Sequence, residues 1–206
     1  MAETQTNLIA AVVLAGGASS RMGRPKALLP FAGVPLAARA IARLKPQAGV
    51  VYLNLREPDP AFESFGASFV FDSPRWRGAG PLAGIAAALA RAKAEGFAYL
   101  ATTPCDAPFS PPDLVASLMR PIAAGARAAV AVSRYGLEPM FALWPVEAIL
   151  AVEASLETGR ASPRSTLENL HAARVAFPAE EGRNPFANLN TPQEFAEAEA
   201  LALGMR

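Results

Sequence analysis

Several strand-length runs of this chain are apolar on consecutive positions, and that pattern is hard to satisfy outside a sheet covered on both faces. Ala10–Leu14, Val50–Leu55, Ser68–Phe71, Ala98–Thr102, Ala128–Val132 and Met140–Leu143 read as strands, with a weaker one at Arg174–Phe177. Between them lie stretches with helical character: Leu36–Leu44, Leu82–Glu95, Pro112–Ala123, Val146–Leu156, Ser165–His171 and Pro192–Leu203. Ser110-Pro111-Pro112-Asp113 and Thr191-Pro192-Gln193-Glu194 supply start signals, the second with a capping box. Alternating strands and helices predict a three-layer α/β/α Rossmann-like domain on a mostly parallel, partly mixed sheet. The stretch from Ala128 to Trp144, folded around Tyr135-Gly136, breaks the alternation and is expected to add an antiparallel edge. The 206 residues suit one domain with a full core.

Composition excludes some functions. Hydrophobic residues make up 52% and charged residues 18%, which rules out a disordered chain. A net charge of +1 leaves no broad footprint for nucleic acid. No run reaches the ~18–20 apolar residues of a membrane span. The apolar segment near the N-terminus follows Glu3 with no preceding Lys or Arg, so it reads as a buried strand and not a signal peptide. Cys105 is the sole cysteine, so no internal disulfide can form. A cytoplasmic protein is expected.

In open α/β sheets ligands gather beyond the carboxyl ends of strands. The first strand runs into Leu14-Ala15-Gly16-Gly17, and Arg21, Gly23 and Lys26 follow. Glycines let backbone N–H groups approach an anion, and the cations add fixed charge, as a triphosphate cradle requires. By composition alone a flexible surface loop fits the same letters. The spacing matches neither the common P-loop nor the dinucleotide fingerprint. After the strand Ala98–Thr102, Asp106 sits between Pro104 and Pro108. It is either a turn former or a carboxylate held stiffly for Mg²⁺. Asn54 and Asp72 end two further strands, where they are loop residues or contacts for base and ribose. Gly80-Pro81-Leu82-Ala83-Gly84-Ile85 opens a helix at its positive end. Near the C-terminus Asn188 and Asn190 alternate along an extended segment, so both can face one side. No catalytic His or Glu base stands out, and the only histidine, His171, reads as a surface residue.

The opening pattern Leu-Ala-Gly-Gly-x-Ser-x-Arg-Met-Gly-x-x-Lys resembles the signature of the molybdopterin nucleotidyltransferases. So do Pro-Cys-Asp-x-Pro-Phe at 104–109 and Asn-x-Asn-Thr-Pro at 188–192, and together the motifs run from about Val12 to Phe195. Within that superfamily Gly16-Gly17 and the hexapeptide 80–85 are similar to the guanylyltransferases. Pro25 before Lys26 also occurs in cytidylyltransferase relatives, and Leu55 separates Asn54 from Arg56 where the family has Asn-Arg. The resemblance implies Mg²⁺-dependent transfer of GMP from GTP to molybdopterin. It implies Arg21, Lys26 and Asp106 as catalytic residues, with Asp106 on the metal. It implies Leu14, Ala15, Gly16, Gly17, Lys26, Asn54, Asp72, Gly80 and Asp106 around the nucleotide, and Asn188 and Asn190 on the acceptor. It also implies transient contact with proteins that supply or receive the cofactor. Transfer of CMP, transfer to a sugar phosphate, and a non-catalytic nucleotide-binding regulator stand as alternatives.

Overall fold

The computed structural model describes residues 7–17, 25–159, 162–179 and 184–204. Its strands are β1 (Ile9–Leu14), β2 (Pro30–Phe31), β3 (Val34–Pro35), β4 (Val50–Leu55), β5 (Ser68–Phe71), β6 (Tyr99–Pro104), β7 (Ala129–Ser133), β8 (Gly136–Pro145) and β9 (Ala173–Ala176). Its α-helices are α1 (Leu36–Leu44), α2 (Pro81–Ala94), α3 (Leu114–Ala123), α4 (Ile149–Glu157), α5 (Pro163–Asn169) and α6 (Pro192–Ala202). A seven-stranded sheet has the order β5-β4-β1-β6-β8-β7-β9. β2 and β3 form a separate small hairpin.

β1 lies inside the sheet and pairs in parallel with β4 and β6. All six of its residues are buried, as the unbroken apolar run requires. Its alternate side chains feed two cores. Ala11 and Val13 pack with Ala37 and Ile41 of α1 and with Leu118 of α3. Ala10 and Val12 pack with Ile85 and Leu89 of α2, Val152 of α4 and Leu167 of α5. The helices therefore lie on both faces of the sheet, as predicted.

One expectation needs correction. The antiparallel strand β8 is not an edge. It lies between β6 and β7 and pairs antiparallel with both, while β7 pairs in parallel with β9. The run from Phe141 to Trp144 is buried throughout, so it needs neighbours on both sides as well as on both faces. Trp144 Nε1 donates to Thr102 Oγ1 on β6 at 3.2 Å, which satisfies the indole N–H in the interior. A second correction concerns α3. It starts at Leu114 behind Asp113, and Ser110 does not cap it. Val146–Ala148 form a 3₁₀ turn leading into α4 instead of its first residues. The capping box at Thr191 and Glu194 is present as expected. Among the described residues no helix is long and apolar enough to cross a membrane.

Candidate active site

Parallel strands point their carboxyl ends the same way, so β1, β4, β5 and β6 deliver their following residues to one rim. A cleft of about 470 Å³ opens there. Leu14, Ala15, Gly16, Gly17, Lys26, Asn54, Asp72, Gly80, Asp106 and Asn190 all line it. The strand order sets their order along the rim: Asp72 after β5, Asn54 on β4, the glycine turn after β1, Asp106 after β6. Asn188 is exposed and is not part of the lining; buried Leu189 separates it from Asn190. Arg21 and Gly23 fall outside the described residues.

At the centre Lys26 Nζ meets Asp106 Oδ2 at 2.5 Å, with side chains only 13% and 17% exposed. Lys26 also donates to Asn190 Oδ1 at 2.9 Å. The other carboxylate oxygen, Asp106 Oδ1, is buried without a hydrogen-bond partner. A buried acceptor on a charged group is costly to leave unpartnered, and a ligand would relieve that cost. Asn190 is held in place by its backbone: its N–H donates to Glu194 Oε2 at 2.7 Å, and the neighbouring Leu189 N–H donates to the Asp106 carbonyl at 3.0 Å. Backbone donors from Asn190 and Thr191 hold the Glu194 carboxyl below its ordinary pKa.

The β4–β5 side is built differently. Asn54 is 4% exposed, and its Nδ2 donates to the Val70 carbonyl at 3.3 Å and to Asp72 Oδ1 at 2.9 Å. Its amide donors are thus spent within the protein, and it acts on the cleft by fixing Asp72. Its Oδ1 rests against α2, where a Cβ on Gly84 would come within 2.2 Å, so only glycine fits there. A Cβ on Gly16 would meet the same oxygen at 3.3 Å, whereas one on Gly17 would meet nothing within 4 Å. Gly80 caps α2 with φ of +79° and ψ of −162°, a conformation open to glycine alone, and Pro81 then starts the helix.

Of the lining residues, Ala27, Arg56, Gly78 and Met140 are not among the site residues the sequence points to. Arg56 Nε donates to the Gly16 carbonyl at 2.5 Å, beside the Ala15 N–H to Asn54 carbonyl bond at 3.1 Å. The signal for it was its place two residues after Asn54, hence on the same side of an extended strand. Cys105 also lines the cleft, but its thiol is buried, and burial first and Asp106 second push its pKa up to about 12. It is a packing residue and no nucleophile. His171 lies exposed in a turn after α5 and does not line the cleft. Among the described residues no group of three His, Cys, Asp or Glu side chains is arranged to hold a metal.

Comparison with known proteins gives a consistent result. Residues 11–175 match the model of the MobA-like NTP transferase domain. A molybdenum cofactor guanylyltransferase of Rhizobium meliloti is 42% identical, over 92% of this chain and 90% of that protein. One from Rhodobacter capsulatus is 40% identical, over 93% and 95%. Among solved structures, molybdopterin-guanine dinucleotide biosynthesis protein A from Archaeoglobus fulgidus superposes with a TM-score of 0.74 at 26% identity, covering 95% of this chain and 100% of that one.

Proposed function

The chain belongs to the MobA-like NTP transferase domain family, and on that footing we propose that it transfers GMP from GTP to the terminal phosphate of molybdopterin. A phosphate oxygen of the acceptor attacks the α-phosphorus of GTP. A new P–O–P bridge forms, the bond between the α-phosphorus and the αβ-bridging oxygen breaks, and pyrophosphate leaves. The attacking phosphate is already ionised at neutral pH, so no general base is needed, in keeping with a cleft lined by no histidine among the described residues. Catalysis is then positioning and charge neutralisation.

The observation that carries this reading is the Lys26–Asp106 pair at the mouth of the glycine turn. The nucleotide lies along the rim, its base toward Asp72 and Gly80 and its triphosphate over Gly16 and Gly17. Lys26 releases Asp106 to take up phosphate charge. Arg21, from the same loop, adds a second cation to the leaving pyrophosphate. Asn190, already bonded to Lys26, marks the acceptor side, with Asn188 farther out along the same segment.

One carboxylate with a buried, unpartnered oxygen suits a hard cation that draws its remaining ligands from phosphate and water. Asp106 would hold Mg²⁺ in this way. Bound there, the ion would neutralise charge on the reacting phosphates.

Turnover of GTP, CTP and ATP with molybdopterin as the fixed acceptor tests the proposal. GTP should be preferred in kcat/KM by roughly tenfold to a hundredfold, the scale set by unpaired buried polar groups. Equal or better use of CTP would reject guanine but leave nucleotidyl transfer standing. Absence of pyrophosphate release with every triphosphate would reject both.

A further inference from the structure

Arg56 has no role in the reaction as described so far, yet it occupies an informative position. It is exposed, lines the cleft, and folds back so that its Nε bonds the Gly16 carbonyl at 2.5 Å. Among the described residues, Lys26 is engaged with Asp106, while no carboxylate lies within ion-pair distance of Arg56. Anchoring Nε fixes the plane of the guanidinium and leaves its two terminal nitrogens as donors in a fixed fork. Arg56 follows β4, its side chain and that of Asn54 both lie beside Gly16, and Asn54 is bonded to Asp72. A cationic donor fork and an anionic acceptor therefore line the same cleft.

We infer that Arg56 is a specificity-determining residue whose terminal nitrogens donate to N7 and O6 of the donor guanine. The chemistry favours that base. Guanine presents two acceptors, N7 and O6, on one edge, and the ring N–H and amine as donors on the next. Arg56 matches the first edge and Asp72 the second. Adenine places a donor where O6 stands, so it would oppose the guanidinium. This inference rests on the nucleotide lying in the cleft as proposed above, and it adds which side chain selects the base.

The test is binding of GTP, 7-deaza-GTP, CTP and inorganic pyrophosphate to wild type and to Arg56→Met, by calorimetry on the full chain. Arg56 is exposed, so the variant should fold, and a melting curve checks this. The wild type should bind GTP more tightly than 7-deaza-GTP, which lacks the N7 acceptor. Arg56→Met should bind GTP roughly tenfold to a hundredfold more weakly, as loss of a bidentate base contact implies, and should no longer distinguish the two. Its pyrophosphate affinity should change by less than about threefold, since the contact is to the base. A merely structural strut would lower affinity for both guanine nucleotides and keep the difference between them, and that result would overturn the inference. So would an equal loss for pyrophosphate, which would make Arg56 a phosphate cation. If wild type binds CTP as well as GTP, the guanylyl reading itself fails; if GTP is preferred in wild type and variant alike, only the role of Arg56 fails.

Discussion

The two sides of the cleft satisfy their polar groups in opposite ways. On the β4–β5 side, Asn54 gives its donors to Val70 and Asp72, and Ala15 and Arg56 tie the glycine turn to β4. On the β6 side, one ion pair holds Lys26 to Asp106, and the second Asp106 oxygen is buried without a partner. A closed set of bonds keeps its shape when a ligand arrives, which suits recognition. A pair with an unused acceptor exchanges partners when a ligand arrives, which suits chemistry. Buried polar groups are costly to leave unpaired, so the second arrangement is kept where something else completes it.

That contrast can be broken from either side. The largest effect is expected on the β6 side: Asp106→Asn should lower kcat by roughly a hundredfold to a thousandfold, the scale of losing one preorganised electrostatic group. Calorimetry should still detect GTP binding, because the β4–β5 side is untouched. Turnover at the wild-type rate in a pyrophosphate-release assay would remove Asp106 from the reaction.

Next comes the β4–β5 side. Gly84→Ala would push a Cβ into Asn54, with contacts of 2.2 Å to Oδ1 and 2.6 Å to Cγ, both in the interior. Urea unfolding should show a loss of about 1–3 kcal/mol, typical of overpacking. GTP affinity should fall with it as Asn54 shifts away from Asp72. Gly17→Ala sharpens the comparison, because nothing lies within 4 Å of that Cβ. Its stability should equal wild type, so any loss of GTP binding there reports on the ligand and not on the fold. A stable Gly84→Ala with normal GTP affinity would show that the closed bond set is not what fixes the cleft.

The smallest effect concerns the thiol under the β6 side. Burial, and secondarily Asp106, push Cys105 up to about 12 in the folded protein, above its unfolded value of ~8.5. Folding therefore favours the protonated thiol. Its contribution is fully present below about pH 8.5 and is lost as pH rises toward the folded value. Wild type should lose more urea resistance than Cys105→Ala between pH 7.5 and pH 10. Rapid reaction of native Cys105 with a disulfide reagent at pH 8 would contradict this, since it requires an accessible thiolate.

Much of the β6 side was legible from residue order alone. A strand ending in Cys105-Asp106 between prolines, and a glycine turn after the first strand, needed only the rule that ligands gather at carboxyl ends. Arg56 was not legible in the same way, because its partner Gly16 becomes a neighbour only once β4 lies beside β1. Asn54 was noticed, but its bonds to Val70 and Asp72 depend on the β4–β5 pairing. The interior place of β8 was missed for a similar reason. Its apolar run signals burial, but chain order cannot say which strands it separates. Asn188 and Asn190 were paired by alternation, which is correct for exposure, yet only Asn190 comes to the cleft wall.

The contacts of Lys26 have a consequence for how the protein is made. Its partner Asp106 lies 80 residues farther along the chain and its partner Asn190 lies 164 residues farther. A polypeptide emerging from the ribosome carries the glycine turn long before Asn190, and it cannot complete the grip on Lys26 until the segment beside α6 has been synthesised. A fragment ending before Asn190 would lack that contact with the lysine. The charged centre is therefore assembled only once synthesis has passed Asn190.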